Sequence, residues 1–145
     1  MLARLIFAGT LERHPDLRLI AAHGGSNLLF MKGRLDLTYA ASGVAFEPAC
    51  HAHISQPPDA YYDRLLFDTV VDSREQLGFL IEMVGADHVV FGADDPFEVV
   101  DPVGAMAVPE INALVPAQRD KILGGTIAAL FPASIRQSSP PKARR

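Results

Sequence analysis

Two side chains in this sequence have the type and spacing to do chemistry together, His23 and Asp94. Each follows directly on a short apolar run. Leu17–Ala22 leads into His23-Gly24-Gly25, and Val89-Val90-Phe91-Gly92-Ala93 leads into Asp94-Asp95-Pro96. A parallel strand that runs out into a polar side chain is how α/β enzymes set a catalytic group at the carboxyl edge of their sheet. Asp94 lies 71 residues after His23, and an α/β barrel spends ~30 residues on each βα unit. The gap is therefore about two units, which matches the one apolar run between them, Leu65–Val71. Both groups then project into one crevice. A His and an Asp there can bind a divalent metal, or share work around a metal-bound water with the imidazole as base and the carboxylate as ligand. The structural alternatives are a histidine bonded to a neighbouring loop and an aspartate capping the next helix.

The elements that must position these groups follow from periodicity and breakers. Apolar residues at 2, 5, 6, 7 and 11 predict a helix over Leu2–Arg13, ended by Pro15. Leu17–Ala22 is nearly all apolar, as a strand buried on both faces should be. A second helix is expected over Asn27–Ala41, then a long irregular segment, Ser42–Asp59, holding Pro48, Pro57 and Pro58. After the strand Leu65–Val71, Ser73 is placed to cap a helix running to Met83, and Gly85 stops it. The strand at Val89 comes next. Beyond Pro96 the chain reads as helical, interrupted by Pro109 and Pro116, to about Phe131. The order α, β, α, β, α, β, α predicts a parallel sheet with right-handed crossovers. A closed barrel takes eight strands and typically ~250 residues. With three strands in 145 residues, barrel sequence here is the last part of a barrel.

Bulk composition narrows the function classes. Hydrophobic residues make up 49% and charged residues 21%, values of a folded domain rather than a disordered chain. The net charge of −4, with no basic stripe, argues against nucleic acid as a partner. Apolar runs are short and interrupted by charge, so no membrane span is expected. Met1–Gly9 lacks the basic start and long apolar core of a signal peptide. Cys50 is the single cysteine, which makes a reducing, cytoplasmic setting the default. Residues 132–145, with Ser138, Pro140, Lys142, Arg144 and Arg145, read as a disordered, solvated tail after a domain spanning 1–131.

Several motifs occur in a fixed order: His14-Pro15-Asp16-Leu17-Arg18-Leu19-Ile20-Ala21-Ala22-His23-Gly24-Gly25, Gly33-Arg34-Leu35-Asp36, Pro57-Pro58-Asp59-Ala60-Tyr61-Tyr62, Leu66-Phe67-Asp68-Thr69 and Val89–Phe97. Together they resemble the carboxyl-terminal half of the amidohydrolase-related (amidohydrolase 2) family that includes aminocarboxymuconate-semialdehyde decarboxylase and the resorcylate-type decarboxylases. The resemblance implies an α/β chain forming about strands 6–8, with their helices, of a metal-dependent (β/α)8 TIM-barrel hydrolase fold. It also implies a mononuclear divalent metal, often zinc. Asp94 then matches the metal ligand of the last strand. His23 matches the sixth-strand histidine that orients or deprotonates a metal-bound water. Arg34 matches an arginine that reaches a substrate carboxylate across a dimer interface, a task suited to its bidentate fork. Without the resemblance Arg34 reads as a solvated helix charge.

Three departures bear on substrate class: Ser26 stands for the family's third glycine, Gly125-Thr126-Ile127 for its late Gly-Asn-Ala, and Asp95 for an aromatic or other residue. The family's metal site also takes a His-x-His pair on the first strand and a histidine on the fifth, and neither lies in this chain. His51-Ala52-His53 has the right form in a proline-flanked loop, where exposed loop histidines are the expectation and chelation, with Cys50 beside it, the minor alternative. Ser26 lacks a nucleophile elbow, and Gly124-Gly125 is too short to cradle phosphate. Asp68 is expected to be structural, with a role in orienting a neighbour as the alternative. The expected function is a metal-dependent decarboxylase or hydrolase acting on a small carboxylated, aromatic-derived substrate, present as a partial chain that self-associates or joins a missing amino-terminal half. The competing expectation is a catalytically incomplete barrel fragment serving as a structural or interaction module.

Overall fold

A computed structural model describes residues 2–42, 50–71, 73–96 and 108–131. Three short strands, β1 (Leu19–Ala21), β2 (Leu65–Asp68) and β3 (Val89–Val90), form one parallel sheet in the order β1-β2-β3. Helices α1 (Leu2–Phe7) and α2 (Thr10–Arg13) precede β1, α3 (Lys32–Ser42) follows it, and α4 (Arg74–Val84) joins β2 to β3. Then come α5 (Val108–Ala113), α6 (Pro116–Asp120) and α7 (Thr126–Ala129), the last two joined through a widened turn at Lys121–Gly125. Ala21 pairs with Phe67, and Phe67 with Val89. The three strands therefore run out at one level, and the segments after them leave the same edge.

One face of the sheet holds the core. Leu65 and Phe67 of β2, Ala21 of β1 and Val89 of β3 pack with Ile6, Leu11, Leu77, Leu80, Ile111 and Ile122. Phe67 is 0% exposed, and burying a ring of this kind contributes about 2–3 kcal/mol. The opposite face is different. Ile20 pairs with Leu66 and is 48% exposed. The all-apolar run predicted β1 to be buried on both faces. In β1 only the Ala21 side is covered by the described residues, because alternation turns Ile20 to the other side, where it lines an open cleft.

The expected helix Leu2–Arg13 is two helices. Gly9 breaks it with φ +66°, and a Cβ there would overlap the His53 carbonyl oxygen. A backbone docking 44 residues away in sequence sets that break. Arg64 then fastens α2. Its guanidinium donates to the carbonyls of Leu11, His14 (3.1 Å) and Pro15 (2.9 Å), satisfying the helix's carboxyl end. Glu12 accepts from the Ser55 amide and hydroxyl, both at 2.7 Å, and from the Tyr61 hydroxyl. These donors hold the Glu12 carboxyl below its ordinary range, the Tyr61 hydroxyl first among them.

The third helix starts at Lys32 rather than Asn27. Residues 26–31 pass through turns instead, which drop the adjacent Leu28 and Leu29 into the core. Helix α4 is close to expectation. The Ser73 hydroxyl accepts from the Gln76 amide at 3.4 Å, and Gly85 closes the helix with φ +77°. Pro109 lies in the first turn of α5 and Pro116 at the start of α6, so both prolines begin helices. The expected tail, residues 132–145, lies outside the described residues.

Candidate active site

The polypeptide leaves β1 through a tight turn, His23–Gly25. His23, Gly24 and Gly25 all have positive φ, at 55°, 56° and 73°. The neighbouring side chains leave no alternative at the glycines. A Cβ on Gly25 would lie 2.7 Å from the Phe67 ring, and one on Gly24 would lie 2.5 Å from Val71 Cγ1. His23 is thereby pushed out at the end of the strand. It is exposed, and it stands between two clefts. One, of about 400 Å³, runs toward α4 and is lined by Leu29, Phe30, Gln76 and Phe79. The other, of about 520 Å³, runs along β1 toward α1 and α3, past Ile20, Leu28, Met31 and Leu35.

Asp94 stands at the corresponding place after β3. Only Val89 and Val90 are in the strand. The Phe91 amide turns to the Ile122 carbonyl at 3.0 Å, and its side chain is 38% exposed. The expected apolar strand triplet is therefore a buried pair followed by a residue that leaves the sheet. Asp94 is half-buried with φ +58°. Among the described residues the non-glycine positions with positive φ are His23, Ser26 and Asp94. Such conformations cost about 1–3 kcal/mol each and collect at functional sites. Both residues singled out from sequence are in that set.

No hydrogen bond or ion pair joins His23 to Asp94 among the described residues. What relates them is the end of β2, which lies between. Asp68 Oδ1 accepts from the Gly24 amide at 3.0 Å and from the Val70 amide at 3.1 Å. The Thr69 hydroxyl, in a residue only 4% exposed, donates to the Gly92 carbonyl and accepts from the Gly92 amide, both at 3.1 Å. Thr69 was invisible in the sequence as a site residue. The one available signal was a small hydroxyl directly after a strand-end carboxylate.

The remaining candidates lie elsewhere. Arg34 is exposed on α3 and lines neither cleft at His23. His51 is used locally: its Nε2 lies 2.7 Å from the Tyr39 carbonyl and its ring stacks on Tyr39 at 3.9 Å. His53 is exposed, with its backbone against Gly9. Among the described residues no three His, Cys, Asp or Glu side chains gather as a metal ligand set. Asp94 alone therefore does not make a metal centre here, and a metal at this edge needs further donors.

The sequence and the fold are both similar to those of known proteins. The sequence is 29% identical over 122 residues to 2-amino-3-carboxymuconate-6-semialdehyde decarboxylase of Dictyostelium discoideum, covering 83% of this chain and 33% of that protein. It is 29% identical over 121 residues to gamma-resorcylate decarboxylase of Rhizobium radiobacter, covering 82% of this chain and 35% of that protein. The fold matches 5-carboxyvanillate decarboxylase from Sphingomonas paucimobilis with a TM-score of 0.71 at 25% identity, over 90% of this chain and 38% of that one. The chain thus spans about a third of the length of these relatives. A dihydroxybenzoic acid decarboxylase from Polaromonas, 24% identical, shares the fold with a TM-score of 0.68 and was crystallised with bound manganese. A sequence profile of the amidohydrolase family (amidohydrolase 2) matches residues 2–133, nearly the whole chain. The chain belongs to that amidohydrolase family.

Proposed function

We propose that this chain is the carboxyl-terminal part of a metal-dependent decarboxylase that acts on a small aromatic carboxylate. Residues 1–131 supply about strands 6–8 of its barrel. The observation that carries the reading is that His23 and Asp94, both with left-handed backbone, lie in the segments that leave two strands of one parallel sheet at the same edge. The relatives named above are decarboxylases, which favours loss of carbon dioxide over hydrolysis.

Decarboxylation breaks the bond between a ring carbon and its carboxylate carbon and leaves an electron pair on the ring. That carbon must gain a proton. His23, exposed at the edge of two clefts, is the group of this chain suited to hold and deliver it. Asp94 is the residue offered to a divalent metal, zinc or manganese, with the other ligands coming from outside the described residues. Arg34 would meet a substrate carboxylate only from a second copy, so a homo-oligomer belongs to this reading. A cytoplasmic location fits the single cysteine, and no helix of the described residues is long and apolar enough to cross a membrane.

The test is a spectrophotometric decarboxylation assay on 2,6-dihydroxybenzoate and 5-carboxyvanillate. The chain is assayed alone and mixed with the amino-terminal two-thirds of a relative, with manganese or zinc added. Activity in either mixture is expected to fall about 10²–10⁴-fold in His23→Asn. Activity equal to wild type in both His23→Asn and Asp94→Asn would refute the assignment.

A further inference from the structure

The end of β2 touches both candidate residues' turns through the side chains of Asp68 and Thr69. Asp68 reaches 44 residues back in sequence to the amide of Gly24, the neighbour of His23. Thr69 reaches 23 residues forward to both backbone groups of Gly92, two positions before Asp94. The packing is equally close. A Cβ on Gly92 would lie 3.3 Å from Asp68 Cβ and 3.4 Å from Val70 Cγ2. A Cβ on Gly24 would press on Val71. Residues 68–71 thus lie between two glycine turns, and their side chains fill the space that a Cβ on Gly24 or Gly92 would need.

We propose that Asp68 and Thr69 are positioning residues that fix the spacing of His23 and Asp94 by anchoring both turns to one strand end. The role of that spacing rests on the decarboxylase reading; the anchoring itself does not. A carboxylate suits the first task because it accepts two amides at one oxygen, drawing the β1 turn and the β2 end together. A hydroxyl suits the second because one group both donates and accepts, fixing Gly92 in orientation as well as distance. Valine has the shape of threonine and neither capacity.

The anchoring is read from backbone amide exchange and amide chemical shifts of the intact chain by NMR. Wild-type Gly24 and Gly92 amides, which lie beyond the strands, are expected to exchange at least tenfold more slowly than in a free chain. Thr69→Val is expected to speed Gly92 exchange about fivefold to tenfold and to move the Gly92–Asp94 signals. Thr69→Ser is expected to restore both. Asp68→Asn, which leaves an oxygen acceptor without the charge, is expected to speed Gly24 exchange and shift the His23 imidazole signals. A purely structural role would lower the unfolding midpoint while leaving these native-state signals in place. Wild-type-like signals at Asp94 in Thr69→Val, or failure of serine to restore them, would overturn the proposal. If Thr69→Val does not fold, unprotected Gly24 and Gly92 amides in the wild-type chain would overturn it alone. An inactive chain with protected amides would sink the decarboxylase reading and leave the anchoring standing.

Discussion

The turn that presents His23 depends on one absent methyl group, and Gly25→Ala tests this directly. Gly25 has φ +73°, and an alanine Cβ there would lie 2.7 and 2.8 Å from two ring carbons of Phe67. Holding a residue with a Cβ in the left-handed region costs about 1–2 kcal/mol. Forcing a methyl against a fully buried ring adds about 1–3 kcal/mol, since Phe67 lies within the core and must shift to admit it. The expected loss is therefore about 2–5 kcal/mol, or roughly 6–15 °C in the midpoint for a chain of this length. Gly78→Ala is the control. Gly78 lies within α4, exposed, with no neighbouring atom within 4 Å of where a Cβ would stand. There the same substitution should stabilise by up to about 1 kcal/mol. Urea unfolding followed by circular dichroism measures both. A double-mutant cycle separates the two costs: in a Phe67→Leu background the ring overlap is relieved, and only the backbone cost of about 1–2 kcal/mol should remain. A Gly25→Ala chain within 0.5 kcal/mol of wild type, roughly the scatter of an ordinary surface substitution, would refute the close approach of this turn to β2.

Arg64→Met keeps the apolar stem and removes three charged hydrogen bonds to the end of α2, so it should cost about 1.5–3 kcal/mol in urea unfolding. Glu12 has its carboxyl held low by donors from Tyr61 and Ser55, so its stabilising contribution is present above the ordinary glutamate range and is lost as pH falls through the depressed value. Glu12→Gln should therefore flatten the acid limb of a stability–pH curve, and an unchanged limb would count against these bonds. Ser73→Ala removes a long capping bond, 3.4 Å, and should lower stability by about 0.5–1 kcal/mol, at the weak end for a cap, as read from thermal unfolding.

Local pattern alone determined a good deal of this protein. Apolar runs bounded by glycine and polar residues located all three strands, and their alternation with helices implied the parallel sheet. Ser73 and Gly85 marked the ends of α4 because capping is a contact within one turn of chain. The ordered motifs identified the family, and strand-end placement singled out His23 and Asp94. Tertiary structure decided what depends on chain segments far apart. Helix α1 stops before Gly9 because the His53 backbone docks there, and β2 stops at Asp68 because its carboxylate turns to Gly24 and Val70. The left-handed backbone at His23 and Asp94 is of the same kind. Periodicity reports which face of an element is apolar; histidine and aspartate tolerate φ near +55° better than most side chains, but that tolerance does not say where the chain adopts it. Only packing against β2, with Phe67 and Val71 beneath the glycines and Thr69 holding Gly92, imposes it. The sequence therefore determined which residues stand at the edge of the sheet, and long-range contacts decided how they are held there.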